Sequence, residues 1–376
     1  MKRVAVSVVA LAVLAPALGA QQALVDSIAS TYWEAQLDRY PEMATVNGFP
    51  GPRNGRLVDL APAAFDAYDA RLRELQRAAA TVDTSGLTPL GVVTLLSLQG
   101  SLARDRSLRI CRTELWSVDQ QGGLQVTFPD LAALQPTATD AERTLFLARW
   151  RRIGDEIDQQ VLDLRSGLAA GYSAPRTDVE RVIGQLERLV TAPVDSNPLL
   201  PPAARPDAPH RDARWAGQVR AEVADVIIPS FRRYLEFLRE GYLPRARSAP
   251  GVSANPDGAA CYRARIHAET TLDLGADSIH AIGLADVAAT RQEMVILAQR
   301  RFGTSNLDSL LLAMRADTSL AFATGAQVLA AATTAVDRMR SHLPQRFGRL
   351  PPEPVEVVPM PAYESADAPA AYYYPG

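Results

Sequence analysis

The feature that most restricts this chain is a run of apolar residues between positions 139 and 170. Trp150, Ile153, Ile157, Val161, Leu164 and Leu168 follow one another at steps of 3, 4, 4, 3 and 4. That spacing puts all six on one stripe of an α-helix and does not fit the alternation of a strand. Thr139 and Glu142 stand at the spacing of a capping box ahead of the run, and Gly167 and Gly171 stand where the helix should end. The pattern predicts one long amphipathic helix over 139–170. Weaker patterns of the same period predict helices over 22–39, 62–80, 88–108, 176–191, 213–240, 276–301, 306–315 and 318–343. Strand signals are confined to Leu124–Phe128 and Glu353–Met360. The expected fold class is mainly α, a large helical domain with a few short strands.

Proline marks the breaks. Residues 193–209 hold Pro193, Pro198, Pro201, Pro202, Pro206 and Pro209, which rules out helix or central strand there. The stretch reads as an interdomain linker or a long surface loop, and is a candidate subdomain break. The segment "LPRARSAPGVSANPDG" over 243–258 reads as an ordered loop with a turn at Asp257-Gly258. No internal repeat is present.

Residues 1–20 have the form of a secretory leader. Lys2 and Arg3 precede an apolar run over Val4–Leu14, and small residues end at Ala20 before polar Gln21 and Gln22. Cleavage is expected after Ala20. The run is shorter than the roughly 20 residues that cross a bilayer, and no later segment is long and apolar enough. An exported, soluble mature chain over residues 21–376 is therefore expected, in the periplasm or outside the cell. The leader contains no cysteine, so no lipid anchor is expected. The mature length allows one large domain or two smaller ones.

Charge and residue usage exclude several chemistries. Lys2 is the only lysine in the chain, so a mature chain has no Schiff-base lysine, phosphate-loop lysine or Ser-Lys dyad. Loss of Lys2 and Arg3 takes the formal net charge from -3 to -5, which argues against nucleic acid as a partner. Cys111 and Cys261 are the two cysteines. In an oxidising compartment a disulfide is the default reading, with two buried free thiols as the alternative. Neither has a neighbouring Cys or His at metal-ligand spacing.

No GxSxG, GxGxxG, Walker, EF-hand or HExxH motif is present. His267 and Glu269 in "IHAETT" match the H-x-E half of a zinc deaminase, but no P-C-x-x-C follows. The pair reads instead as polar residues near the end of an element. Asp286 and Glu293 share a face two turns apart on the 276–301 helix, about 10 Å along its axis. A solvated, salt-bridging face is the simpler account of them. His210, His267, His280 and His342 are the four histidines, and none has another at i+4. No catalytic or metal-ligating residue is therefore assigned.

Seven phrases in order carry a resemblance. They are "YPEMATVNG" (40–48), "CRTELWSVDQQGGLQVTF" (111–128), "GLAAGYSAPRTDVERVIGQLERL" (167–189), "YLPRAR" (242–247), "PDGAACY" (256–262), "IHAIGLADVAATRQEM" (279–294) and "APAAYYYPG" (368–376). In this order the chain resembles the bacterial domain-of-unknown-function 885 family over essentially its whole mature length. The resemblance implies an exported protein similar to zincin metallopeptidases, distantly to the carboxypeptidase Taq group, whose zinc motif lies beyond a tyrosine-rich stretch. On that basis zinc is the cofactor expected for the family, although no ligand for it is assigned in this chain. The chain would then be the N-terminal helical part of a zincin-like α+β fold. It would build the cleft for a peptide substrate and be inactive by itself. Tyr372, Tyr373 and His280 are the candidate cleft-lining residues, with core packing equally open for the tyrosines. Alternatives are a complete, non-catalytic exported binding or scaffold protein, and a metal-free hydrolase using Asp286, Glu293 or His280.

Overall fold

The computed structural model describes residues 11–360. They belong to two compact units, one reaching Asp273 and the other starting at Leu274. The division falls there and not in the proline-rich stretch. Leu199, Leu200 and Ala204 of that stretch are buried in the larger core of the first unit, and Asn197, also buried, donates to Leu189 O at 2.8 Å.

In the first unit, α1 (Leu11–Arg39), α3 (Pro62–Ala80) and α4 (Pro89–Ser107) form a three-helix layer. Val25 and Ile28 of α1 meet Leu72 and Leu75 of α3 and Leu95, Leu98 and Leu102 of α4. Burying each of these side chains contributes about 1.5–3 kcal/mol. Gln21 and Gln22, directly after the expected cleavage point, already anchor α1. Gln21 Oε1 accepts from Asp83 N at 3.0 Å, and Gln22 Oε1 accepts from Thr88 Oγ1 at 3.1 Å. A short α2 (Glu42–Val46) follows α1.

The larger core gathers α5 (Leu124–Leu134), α6 (Asp140–Trp150), α7 (Ile153–Ala169), α8 (Arg176–Thr191), α9 (Ala213–Glu222) and α10 (Ile228–Glu236). Phe146 stacks on Trp150 with ring centroids 3.9 Å apart and meets the edge of Trp215 at 5.6 Å. The chain passes from α9 to α10 through a π-helical turn at Val223–Ile227, just before Pro229, and leaves α10 through another at Phe237–Tyr242. Such widened turns absorb a proline that cannot donate to the helix ladder. The unit closes with α11 (Gly258–Thr270).

Three expectations need correction. The 139–170 helix is two helices. Its capping box forms at Thr139 and Glu142, and its stripe is buried or packed on the core. Past the break at Arg151-Arg152, Gly154 of α7 passes so close to the π-helical turn before α10 that a Cβ would lie 2.9 Å from Val226 Cγ1. Leu124–Phe128 is helical, because Leu124, Phe128, Leu131 and Ala132 also satisfy helical spacing and all pack on the core. No regular structure forms over Glu353–Met360. Among the described residues there is no strand, and the one backbone bridge joins Pro175 and Arg247. The mainly-α class stands without the strands. Additionally, α11 lies where no helix was expected.

Glycine placement explains two close approaches. Gly171, with φ +84°, ends α7 in the left-handed conformation that glycine tolerates. Gly167 stays inside α7, where a Cβ would overlap the backbone carbonyl of Leu115. Gly167→Ala is therefore expected to cost about 1–3 kcal/mol. Gly217→Ala on α9 has open space and should be neutral or mildly stabilising. Urea midpoints of the two variants check this, and equal midpoints would refute the packing account.

The second unit holds α12 (Ala276–Phe302), α13 (Leu307–Ala316) and α14 (Gly325–His342). Arg291 of α12 pairs with Asp308 of α13 at 2.8 Å. Ala298 and Leu307 are its buried apolar residues, whereas Ile282, Val287, Phe302, Leu312 and Met339 are exposed.

Candidate functional site

The first unit contains clefts built from sequence-distant segments. One, of about 600 Å³, lies among α1, α3, α4 and the middle of α11. Tyr32, Gln36 and Tyr40 recur at helical spacing along and just past α1 and line it, as do Phe65 and Tyr68 of α3. Asp105 of α4 anchors this wall by accepting from Tyr32 OH at 2.7 Å and from Gln36 Nε2. Burial, reinforced by that carboxylate, pushes the Tyr32 phenol up to about 12. Tyr32 is therefore a neutral donor at physiological pH. Arg104, Arg109 and Arg265 also line the cleft. Arg104 pairs with Asp105 at 3.1 Å and Arg109 with Glu114 at 3.4 Å, so the positive excess of the lining rests on Arg265.

A second cleft of about 520 Å³ shares Thr113 and Arg265 with the first. Trp116, Asp119, Asp178, Arg247 and Tyr262 face it. Arg247 is fixed three ways: its guanidinium lies 5.3 Å from the Trp116 ring, its Nη1 donates to Ser173 O, and its backbone N–H donates to Ala174 O at 3.1 Å. Tyr242, its phenol pushed up to about 12 by burial, accepts from Ala174 N at 2.8 Å and so holds the same strap. Cys111 and Cys261 are disulfide-bonded. The bond ties the turn after α4 to the start of α11 between the two clefts. Asp257, with φ +54°, and Gly258, where a Cβ would overlap the Val252 carbonyl, make the tight entry to that helix.

Behind the clefts lies a buried polar hub. Arg149 is 0 % exposed. It donates to Thr45 Oγ1, Gln135 Oε1 and Arg56 O at 2.7 Å each and to Arg53 O at 2.9 Å. Thr45 Oγ1 in turn donates to Asn54 Oδ1 at 2.6 Å. Burial pulls the Arg149 guanidinium down to about 10, offset by Glu42 and Glu156. Burial raises both of those carboxyls, Glu156 strongly. The motif "YPEMATVNG" thus supplies a structural clamp through Glu42 and Thr45, and a cleft wall through Tyr40.

Tyr372 and Tyr373 lie outside the described residues. His280, Asp286 and Glu293 are exposed on α12, and His267 and Glu269 are exposed in the last turn of α11. The site residues that sequence reasoning missed are Tyr32, Tyr68, Arg247 and Arg265. The Tyr32-Gln36-Tyr40 spacing was the available signal for the first cleft.

The zinc implied by the family resemblance can be tested on donor chemistry. Among the described residues no three His, Cys, Asp or Glu side chains converge as metal ligands. Those residues do not fit a zinc site. No described helix is long and apolar enough to cross a membrane.

Fold and clefts together define a mainly-α protein with grooves lined by arginines and aromatics. Residues 41–376 match the family described as "Bacterial protein of unknown function (DUF885)", and the chain belongs to that family. Its fold is similar to a crystal structure described as that of a "putative lipoprotein" from Colwellia psychrerythraea, with a TM-score of 0.77 and 18% sequence identity. The similarity covers 92% of this chain, which spans 64% of that one. Among curated proteins none matches.

Proposed function

We propose that this chain is the helical, cleft-building part of an exported zincin-type hydrolase that acts on peptides. The metal chemistry would come from outside residues 11–360. The observation that carries this reading is the convergence of four family-like phrases on the paired clefts around the disulfide. Residues 111–128, 167–189, 242–247 and 256–262 all contribute to the second cleft. A groove walled by arginines and aromatics suits an extended peptide, whose carboxylates and apolar side chains those groups recognise. The leader over 1–20 and the lipoprotein description of the Colwellia protein support export. The greater length of that protein and the exposed apolar side chains of α12–α14 support a further segment that packs on this chain.

The test is zinc content and peptide hydrolysis, measured on residues 21–376 and on the full reading frame of the gene. The expected result is zinc and hydrolysis in the longer form and neither in residues 21–376. If neither form holds zinc, the hydrolase reading fails and a binding or scaffold role replaces it. Hydrolysis by residues 21–376 alone would also overturn it, and would direct attention to Asp286, Glu293 and His280.

A further inference from the structure

Arg39, at the end of α1, is 6 % exposed. Its guanidinium carbon lies 4.2 Å from the Phe65 ring centroid and 5.1 Å from that of Tyr40, and Nη1 donates to Asp59 O at 2.7 Å. Nε and Nη2 are buried and have no partner. These two nitrogens form the side edge of the guanidinium, whose parallel N–H groups match the two oxygens of a carboxylate. Close by, the Tyr68 hydroxyl is also buried without a partner. Tyr68 lines both the 600 Å³ cleft and a third one of about 450 Å³, which Arg39 lines as well.

Three buried donor atoms without partners, on two residues that line the same cleft, call for an occupant. The neighbouring carboxylates are engaged elsewhere. Asp38 pairs with Arg53 and Arg56, Glu34 pairs with Arg53, Asp59 accepts from Ala61 N, and Glu42 accepts from Val58 N. We propose that the Arg39 side edge and the Tyr68 hydroxyl form a recognition site for a ligand carboxylate at the wall between these two clefts. The ring faces of Phe65 and Tyr40 hold the guanidinium plane, and cation–π attraction keeps its charge in place without consuming an N–H group. Both nitrogens are shut off from bulk water, so binding requires side chains at this wall to rearrange. The site does not depend on the hydrolase reading, since binding needs no reaction.

The experiment is calorimetric titration of the purified chain with N-acetyl-dialanine as free acid, the same peptide as its amide, and acetate. The free acid is expected to bind at least about tenfold more tightly than the amide, the gain of charge-assisted bonds over neutral ones. Tyr68→Phe should weaken the acid by about three- to tenfold while leaving the amide unchanged and without lowering the melting temperature. Arg39→Gln should abolish the discrimination between acid and amide. Binding by acetate alone assigns the site to small acids, and binding only by the peptide acid assigns it to a chain terminus. Equal affinity for acid and amide, or no loss in Tyr68→Phe, overturns the proposal and leaves the orphan donors to a buried water. Retained hydrolysis by a longer form despite that failure would show that the two readings stand apart.

Discussion

Replacing Arg149 by methionine is expected to lower stability by about 3–5 kcal/mol, the cost of breaking a buried charged network from one side. Four acceptors lose their donor at once: Thr45 Oγ1, Gln135 Oε1 and the carbonyls of Arg53 and Arg56. Glu42 and Glu156 lose the cation that offsets their burial. Methionine fills the volume but satisfies none of these groups. Arg149→Lys keeps the charge yet cannot reach four acceptors spread over a planar fork, so a loss of about 2 kcal/mol is expected. Urea midpoints measure both, and hydrogen exchange should show the loosening first in residues 45–57. A methionine variant within about 0.5 kcal/mol of the parent would show that the network is not what holds that segment. The consequence reaches the first cleft, because Tyr40 of its wall and Glu42 of the clamp leave α1 on the same short segment.

The second large effect concerns the Cys111–Cys261 disulfide. It closes a sequence separation of 150 residues, and chain entropy puts the stabilisation at up to ~5 kcal/mol. The double variant Cys111→Ala/Cys261→Ala is expected to lose about 2–5 kcal/mol in a denaturant titration. It should also lose ligand affinity at the clefts on either side of the bond, since Arg265 stands one turn beyond Cys261 on α11. Unchanged stability in the double variant would mean that α11 is held by packing alone. Both cysteines are nearly inaccessible in the fold, so the variant is a cleaner probe than added reductant.

Much of the helical framework could be read from residue order. The expected helices over 62–80 and 176–191 coincide with α3 and α8. Both pair a proline near the start with one clear apolar face, as in Val179, Val182, Leu186 and Leu189. The failures have local causes. Leu124 to Phe128 is too short an apolar run to separate alternation from helical spacing, and only the core it meets selects the helix. The break at Arg151-Arg152 leaves no mark in the apolar period, because the stripe resumes in register on α7. The entry to α11 depends on backbone contacts between Gly258 and the turn before it, which a composition of Pro, Asp and Gly presents as a loop.

The site was less legible than the frame for the same reason. Tyr32, Tyr68 and Arg265 sit on three different helices, and nothing in their local sequence distinguishes a cleft aromatic from a packed one. What residue order alone determined here is the helical class, the capping of α6 and an inventory with a single lysine. These follow from period, local hydrogen bonding and residue inventory, which act over a few neighbours. Tertiary structure alone decided which buried arginine clamps the 45–56 segment, which one is left with an unpaired edge, and which cysteine-linked turns border the clefts. Those outcomes depend on the desolvation of groups brought together across as many as 150 residues, and desolvation is set by the completed core.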